Sequence, residues 1–202
     1  MHFNLTYEKP YSLAQLLWRC YTKTISKEFI HGELNTQLDQ FIAAMGKMPD
    51  FIDGHQHVHT FPVVRDVLLD VYKKRGLECY VRSTYNKNSL RRLSLKKWFI
   101  QYQLANAFKK QLIDNNIPHN STFSGIYDFS ILHYCDLFKN FLEETDEGGL
   151  IMCHPGLKNL SGEKDEIKNA RVQEWTYFVS DAFQKNCEDQ NISLIRFSNN
   201  KK

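Results

Sequence analysis

The chain has 202 residues, of which 42% are hydrophobic and 24% charged, proportions typical of one globular domain with a sizeable core. Its formal net charge is only +3, which argues against a nucleic-acid partner. No apolar run reaches the roughly 18 residues of a membrane span, and no signal-like segment opens the chain. The five cysteines form no C-x-x-C pair. We therefore expect a cytoplasmic protein with reduced thiols and no membrane partner.

The first predicted elements are a strand and a helix. The opening segment MHFNLTYEKP alternates polar and apolar residues from His2 until Pro10, a pattern typical of a strand. Apolar residues then recur at helical spacing from Glu33 to Met45, and Gly46 predicts the end of that helix. The helix leads directly into a histidine-rich segment.

Three of the eight histidines alternate behind an aspartate in the segment PDFIDGHQHVHTFP. If this segment stays extended, one face of a strand carries Asp53, His55, His57 and His59, because successive side chains of a strand point to opposite faces. Gly54 predicts a close approach of the backbone to another group. Imidazole is the commonest ligand of divalent transition metals, and a neighbouring carboxylate can bind the ion or fix a histidine tautomer. We interpret the run as a metal or catalytic site at a strand's C-terminal end and on the loop that follows.

A strand, a helix and a strand are predicted around this run. The segment FPVVRDVLLDVYKKRG predicts a helix that ends at Gly76, and LECYVRS predicts a strand that ends at Arg82, which together make a βαβ unit. An arginine at such a strand end typically orients a carboxylate or a substrate oxygen, so we count Arg82 among the candidate catalytic residues. A long basic helix over residues 90–116 and the loop-rich segment HNSTFSGIYDFS follow.

The last part of the chain places another histidine after a strand. A helix is predicted over residues 131–144, followed by the apolar strand LIMC, and His154 comes directly after that strand in the segment HPG. A helix over residues 164–188 and the strand ISLIRF are predicted for the end of the chain. His154 is the candidate general acid, with a capping role in a tight turn as the alternative. Strand alternation turns Cys153 away from His154, which argues against a thiol nucleophile. Alternating strands and helices with polar strand ends are typical of an α/β barrel or an open parallel sheet.

The segments MHFNLT, PDFIDGHQHVH, FSGIYDFS and MCHPG, in this order, resemble the YdjC-like carbohydrate deacetylases, which include the chitooligosaccharide deacetylases. The resemblance covers nearly the whole chain. It implies a single domain over residues 1–202 with the deviant (β/α) barrel of the polysaccharide-deacetylase type. It also implies hydrolysis of an N-acetyl group from an acetylated oligosaccharide, with release of acetate.

The resemblance further implies a divalent ion that two histidines hold in part. We expect Mg in the first place, with Zn or Mn as alternatives. The candidate residues then fall into three groups: the metal ligands His2 and His55, the substrate-binding residues Asp53, His57 and His59, and the catalytic residues His154 and Arg82.

The chain also departs from the family pattern. Family members begin with a strand whose Asp-Asp motif supplies a metal ligand and the general base, and no such motif precedes His2. We therefore expect a barrel that is N-terminally incomplete by roughly two βα units, with marginal stability or association, a homodimer included. Two alternatives stay open: a metal amidohydrolase or phosphoesterase that uses His57 and His59 as an H-x-H pair, and a catalytically inactive truncated paralogue that serves as a partner-binding module.

Overall fold

The computed structural model of the protein describes residues 11–86, 95–130, 133–157 and 165–196. The predicted strand that begins at His2 lies outside these residues. Within them helices predominate, and the strands are short and parallel, so the predicted α/β class is confirmed. No helix in the described part of the chain is long and apolar enough to cross a membrane.

The chain forms two compact units. The first unit consists of Met1–Tyr85 and Phe99–Asn120 and contains the histidine run. The second unit consists of Asn86–Trp98 and Ser121–Lys202 and contains His154. The expected single domain stays a prediction.

Two helices come first in the described part of the first unit. Helix α1 (Leu13–Tyr21) was not predicted and begins at a capping box, in which Ser12 and Gln15 each accept the other's backbone N–H. Helix α2 (Lys27–Met45) begins earlier than predicted and ends at Gly46, whose φ of 67° is a left-handed conformation that glycine adopts readily. The predicted helix end is therefore confirmed.

Strand β1 (Phe51–Ile52), helix α3 (Val64–Lys74) and strand β2 (Tyr80–Val81) form the predicted βαβ unit. The two strands pair in parallel, and the ladder continues because Arg82 N–H donates to the carbonyl of Ile52 (3.0 Å). The carboxyl ends of parallel strands meet at one edge of a sheet, so this pairing places Asp53, directly after β1, next to Arg82.

Residues 118–120 lie beside β2. The N–H of Val81 donates to the carbonyl of Pro118 (2.8 Å). The buried side chain of Asn120 accepts from the N–H of Ser83 (2.8 Å) and donates to its carbonyl (2.9 Å). The amide of Asn120 therefore takes the place of a strand neighbour just beyond Arg82.

The core of the first unit involves α2, α3 and helix α4 (Leu95–Asp114), which confirms the predicted long helix over its described part. Burying such an apolar side chain contributes roughly 1.5–3 kcal/mol. The core therefore fixes the strand ends that carry the histidine run. Its most deeply buried apolar side chains are Ile30, Leu34, Val64, Leu68, Val81, Phe108 and Leu112.

From Ser121 onward, the described residues of the second unit form one parallel strand pair and three helices. Strands β3 (Phe123–Ser124) and β4 (Leu150–Ile151) pair in parallel; β4 was predicted, whereas β3 lies in a segment predicted as loop. Between the two strands lies helix α5 (Tyr134–Glu144), and β4 is followed by helices α6 (Lys168–Phe178) and α7 (Asp181–Asp189). The described strands thus form two two-stranded parallel sheets, and the closed (β/α) barrel stays a prediction.

Two predictions for the C-terminal part are wrong. The single helix over residues 164–188 is two helices, because Ser180 has the extended backbone of a helix N-cap and interrupts the helical path after α6. The predicted strand ISLIRF is not a strand over residues 192–196. Its Leu194 and Ile195 are 70% and 59% exposed, so this apolar run is not covered by a sheet in the described structure.

Candidate functional site

The histidine run lies directly after β1 and folds as a turn. A 3-10 helix covers His55–Thr60, and Gln56 and His57 have left-handed backbone angles, with φ of 50° and 63°. The N–H of His57 donates to the carbonyl of Gly54 (2.9 Å), and the hydroxyl of Thr60 donates to the carbonyl of His57 (2.8 Å). The prediction of an extended run with one histidine face is wrong, because β1 ends before the run begins. The predicted location at a strand end and its following loop is confirmed.

The turn places its three histidines in different environments. His55 is exposed, His57 is half-buried and His59 is fully buried. The left-handed backbone of Gln56 and His57 costs about 1–2 kcal/mol per residue. Such strained residues persist where the surrounding contacts over-determine them, and they cluster at functional sites.

Arg82, at the end of β2, is the centre of the surrounding contacts. Its side chain is buried, and its Nε donates to Asp53 Oδ1 (2.6 Å), an oxygen that its Nη2 also contacts. Its Nη1 donates to Nδ1 of His57 (3.0 Å), and its Nη2 donates to the carbonyl of Gly54 (3.2 Å). The guanidinium therefore holds both the aspartate and the histidine turn. Its catalytic role stays a prediction.

These contacts fix the protonation of two histidines. A guanidinium only donates hydrogen bonds, so Nδ1 of His57 accepts and its neutral ring carries the proton on Nε2. Nε2 of His59 lies 2.9 Å from the carbonyl of Arg82 and therefore donates to it. Burial, followed by the positive charge of Arg82, lowers the pKa of His59 to about 4. His59 is therefore neutral at physiological pH.

Gly54 is required at its position by space. Its φ of −118° is an ordinary extended value, but an added Cβ would lie 2.5 Å from Nδ1 and 2.8 Å from N of His59. The predicted close approach at Gly54 is thus confirmed, and the group that approaches is His59.

The metal prediction involves residues inside and outside the described part of the chain. Among the described residues, no group of three or more His, Cys, Asp or Glu side chains is arranged to hold a metal ion. His2 lies outside the described residues, and Oδ1 of Asp53 is bonded by Arg82. The exposed imidazole of His55 is chemically suited to be one ligand. Of the two predicted metal ligands, the described residues include His55 alone, and both its ligand role and the ion stay predictions.

In the second unit, His154 follows β4 and contacts a buried carboxylate that the sequence analysis missed. Its backbone N–H donates to Oε2 of Glu174, and Oε1 of Glu174 accepts from the hydroxyl of Tyr127 (2.5 Å). The half-buried ring of His154 meets the edge of the Phe129 ring at 5.3 Å between centroids. Glu174 shares one face of helix α6 with Ala170 and Tyr177, which are buried with it, so a carboxylate at helical spacing from these two residues was the available sequence signal.

The thiol next to His154 is poorly suited to be a nucleophile. Desolvation, followed by the negative charge of Glu174, raises the pKa of Cys153 to about 11. A thiolate is the reactive form, and at this pKa the thiol stays protonated at neutral pH.

The chain is similar to known proteins in sequence. The family model described as YdjC-like protein matches residues 1–189. A carbohydrate deacetylase of Danio rerio is 42% identical over 48 residues, which cover 24% of this chain and 15% of that protein. A chitooligosaccharide deacetylase of Salmonella dublin is 32% identical over 88 residues, which cover 38% of this chain and 35% of that protein. The chain thus matches about a third or less of the length of these curated relatives.

The chain is also similar to a solved structure. A protein of Enterococcus faecalis V583, described as a "putative cellobiose-phosphate cleavage protein", superposes with a TM-score of 0.57 and 21% sequence identity. The superposition covers 89% of this chain and 63% of that chain. At this identity the likeness concerns the fold alone.

Proposed function

Because the chain belongs to the YdjC-like protein family, whose model matches residues 1–189, we propose that it is a metal-dependent carbohydrate deacetylase. In the proposed reaction, water hydrolyses the N-acetyl amide of an acetylated chito-oligosaccharide: the C–N bond breaks, acetate leaves and the sugar keeps a free amine. The family match carries this proposal. The names of the zebrafish and Salmonella relatives support its substrate class.

The proposed fold is a deviant (β/α) barrel. Two parallel strand pairs, the βαβ unit in the first compact unit, and the structural likeness at a TM-score of 0.57 support it. In such barrels, active-site residues lie at the carboxyl ends of the strands, which is where Asp53, Arg82 and His154 follow β1, β2 and β4.

The proposed metal ligands are His2 and His55, with Mg as the expected ion and Zn or Mn as alternatives. A divalent ion bound there supplies Lewis-acid polarisation of the amide carbonyl and a lowered pKa for bound water. His55 is exposed on the 3-10 turn.

The remaining residues of the run are proposed to bind the sugar. The side chain of Asp53 is 42% exposed and that of Arg82 is 5% exposed, so Asp53 is accessible to a hydroxyl group while Arg82 orients it from the interior. His57, half-buried and neutral, is the second proposed sugar contact. His59 is fully buried and supports the site through its bond to the carbonyl of Arg82.

His154 is the proposed general acid. As the C–N bond breaks, its imidazolium proton passes to the leaving nitrogen, which also receives the electron pair of the bond. Without this proton the leaving group would be an amide anion, which is far too basic to leave at neutral pH.

The H-x-H alternative receives no support from the described contacts. Nδ1 of His57 accepts from the guanidinium of Arg82, and Nε2 of His59 donates to the Arg82 carbonyl inside the core. A cationic side chain beside both rings disfavours a divalent cation between them.

The proposal is tested by acetate release from N,N′-diacetylchitobiose, with the protein first stripped by a chelator and then loaded with Mg, Mn or Zn. We expect release only with added metal. The variant His55→Ala is expected to lose both metal binding and acetate release. His133→Ala is the matched control, because His133 is exposed and makes no cap hydrogen bond.

Two results would contradict the proposal. One is full metal binding and full activity of His55→Ala. The other is a folded, metal-loaded protein that releases no acetate, the behaviour expected of an inactive paralogue or a partner-binding module. The homodimer and the cytoplasmic location stay predictions.

A further inference from the structure

We propose that Glu174 is a positioning residue for His154, holding the HPG turn and its imidazole in the orientation that proton donation requires. This inference rests on the proposed function, in which His154 is the general acid. All residues that carry it lie in the second compact unit.

Glu174 is a buried carboxylate with two hydrogen-bond donors. Its side chain is fully buried, and burial of a carboxylate is costly unless hydrogen bonds satisfy it. Tyr127 O–H donates to Oε1 (2.5 Å), and the backbone N–H of His154 donates to Oε2. Each carboxylate oxygen therefore has its own donor, and one of the two is the main chain of the proposed catalytic residue.

Helix α6 holds the HPG turn through a second residue as well. Nη1 of Arg171 donates to the carbonyl of His154 (3.3 Å), and the N–H of Gly156 donates to the carbonyl of Arg171 (3.1 Å). An added Cβ on Gly156 would lie 3.3 Å from Cδ of Arg171, so the glycine permits this close approach. With Glu174, helix α6 bonds three backbone groups of the turn.

The same carboxylate faces the imidazole. Nδ1 of His154 lies 4.0 Å from Oε1 of Glu174, and the Phe129 ring packs edge-on against the imidazole. The two nitrogens of an imidazole lie on different sides of the ring. With Nδ1 turned towards the buried carboxylate, Nε2 is the nitrogen that serves the leaving group.

The two donors to Glu174 differ in what else they can do. The backbone N–H of His154 only donates, whereas the hydroxyl of Tyr127 can also accept. In Glu174→Gln the amide oxygen can therefore accept from His154 N–H while the NH2 group donates to the Tyr127 oxygen, so the turn stays held. Glu174→Leu removes the acceptor of His154 N–H and leaves that backbone group without its bond.

The test is steady-state acetate release by the full chain carrying Glu174→Leu or Glu174→Gln, with the folded fraction measured by circular dichroism. We expect Glu174→Leu to lower kcat about 10–100-fold while KM changes little, because the loss concerns the proton donor rather than sugar binding. Glu174→Gln, which keeps an acceptor for His154 N–H, is expected to retain most of the wild-type kcat.

A measurement without substrate separates this inference from the proposed function. In NMR spectra of protein labelled with 13C at histidine Cε1, the His154 ring signal is expected to shift in Glu174→Leu and to lie closer to wild type in Glu174→Gln. The His119 signal, from the first unit, is expected to stay in place. If wild type releases no acetate, the proposed function fails and the NMR result alone decides on Glu174.

The inference is overturned if folded Glu174→Leu has wild-type kcat or an unchanged His154 signal. It is also overturned if folded Glu174→Gln is as impaired as Glu174→Leu. Should Glu174→Leu fail to fold, Glu174→Met takes its place: a lowered kcat with a shifted His154 signal supports the inference, and wild-type values contradict it.

Discussion

Replacing Gly54 by alanine should destabilise the protein, because the new methyl group collides with His59. The added Cβ would lie 2.5 Å from Nδ1, 2.8 Å from N and 2.9 Å from Cβ of His59, whereas carbon contacts are optimal at about 3.5–4.0 Å. Two of these atoms belong to the backbone or to Cβ, so a rotamer change does not remove the collision. The bond from His59 Nε2 to the carbonyl of Arg82 also holds the ring in place.

The expected magnitude follows from two opposing terms. Overpacking of a filled site costs about 1–3 kcal/mol, and the reduced freedom of the unfolded chain returns about 0.4–1 kcal/mol. We therefore expect Gly54→Ala to lower the free energy of unfolding by about 1–2 kcal/mol. Gly32→Ala is the matched control: Gly32 lies inside α2 with nothing within 4 Å of an added Cβ, so it should gain about 0.5–1 kcal/mol.

Urea unfolding followed by circular dichroism measures both variants. A Gly54→Ala protein as stable as wild type would refute the reasoning, since His59 would then not be packed against this glycine. The substitution should also cost less in a His59→Ala background, where the side chain no longer anchors position 59 to Arg82. Equal costs in both backgrounds would show that the collision does not involve the imidazole ring of His59.

Three further predictions concern other contacts. The pKa of His59 is lowered from 6.5 to about 4 in the folded protein. The contribution of the neutral ring to the free energy of unfolding is therefore fully present above about pH 6.5 and is lost as the pH falls towards 4, by up to about 3 kcal/mol. Urea unfolding between pH 4 and 7 should show a flatter pH dependence for His59→Gln, and an unchanged slope would contradict this assignment. Gly125→Ala should prevent folding of the second unit or destabilise it by several kcal/mol, because Gly125 has a φ of 97° and its Cβ would overlap the carbonyl of Met152; a normal melting curve would exclude that close approach. Asn120→Ala removes the hydrogen bonds that the side chain makes to both backbone groups of Ser83. It should lower the free energy of unfolding in urea by about 2–4 kcal/mol, and a loss below about 0.5 kcal/mol would contradict this prediction.

The elements that could be predicted are those whose signals are local. Apolar spacing indicates helices α2 and α3, and Gly46 and Gly76 mark where they end. Both glycines adopt a positive φ after the last helical turn. The parallel pairing of β1 and β2 follows from the strand, helix, strand rhythm. Helix α1 also carries a local signal, the capping box of Ser12 and Gln15 at its start.

The errors arise where the outcome depends on partners distant in sequence. An alternation of polar residues fits a strand and a turn equally well, and the histidine run became a turn because Arg82 bonds Asp53, His57 and the carbonyl of Gly54. The apolar segment after α7 looked like a strand, but strand formation requires a neighbour to pair with.

The candidate site shows the same division. The proximity of Asp53 and Arg82 could be expected from two parallel strand ends, and the structure places Nε of Arg82 2.6 Å from Oδ1 of Asp53. Glu174 could not be found, because its significance depends on donors located 47 and 20 residues away in the chain. The spacing of Glu174 from Ala170 and Tyr177 on one helix face indicates its burial, but it does not identify those donors.

The products formed from N,N′-diacetylchitobiose test the central claim most directly. The metal-loaded protein is incubated with this sugar, and acetate and free amine are both quantified by NMR. Hydrolysis of the N-acetyl amide predicts that acetate and amine appear in equal amounts while the glycosidic bond stays intact. Cleavage of the glycosidic bond without acetate, or no product from a folded protein with bound metal, would contradict the account.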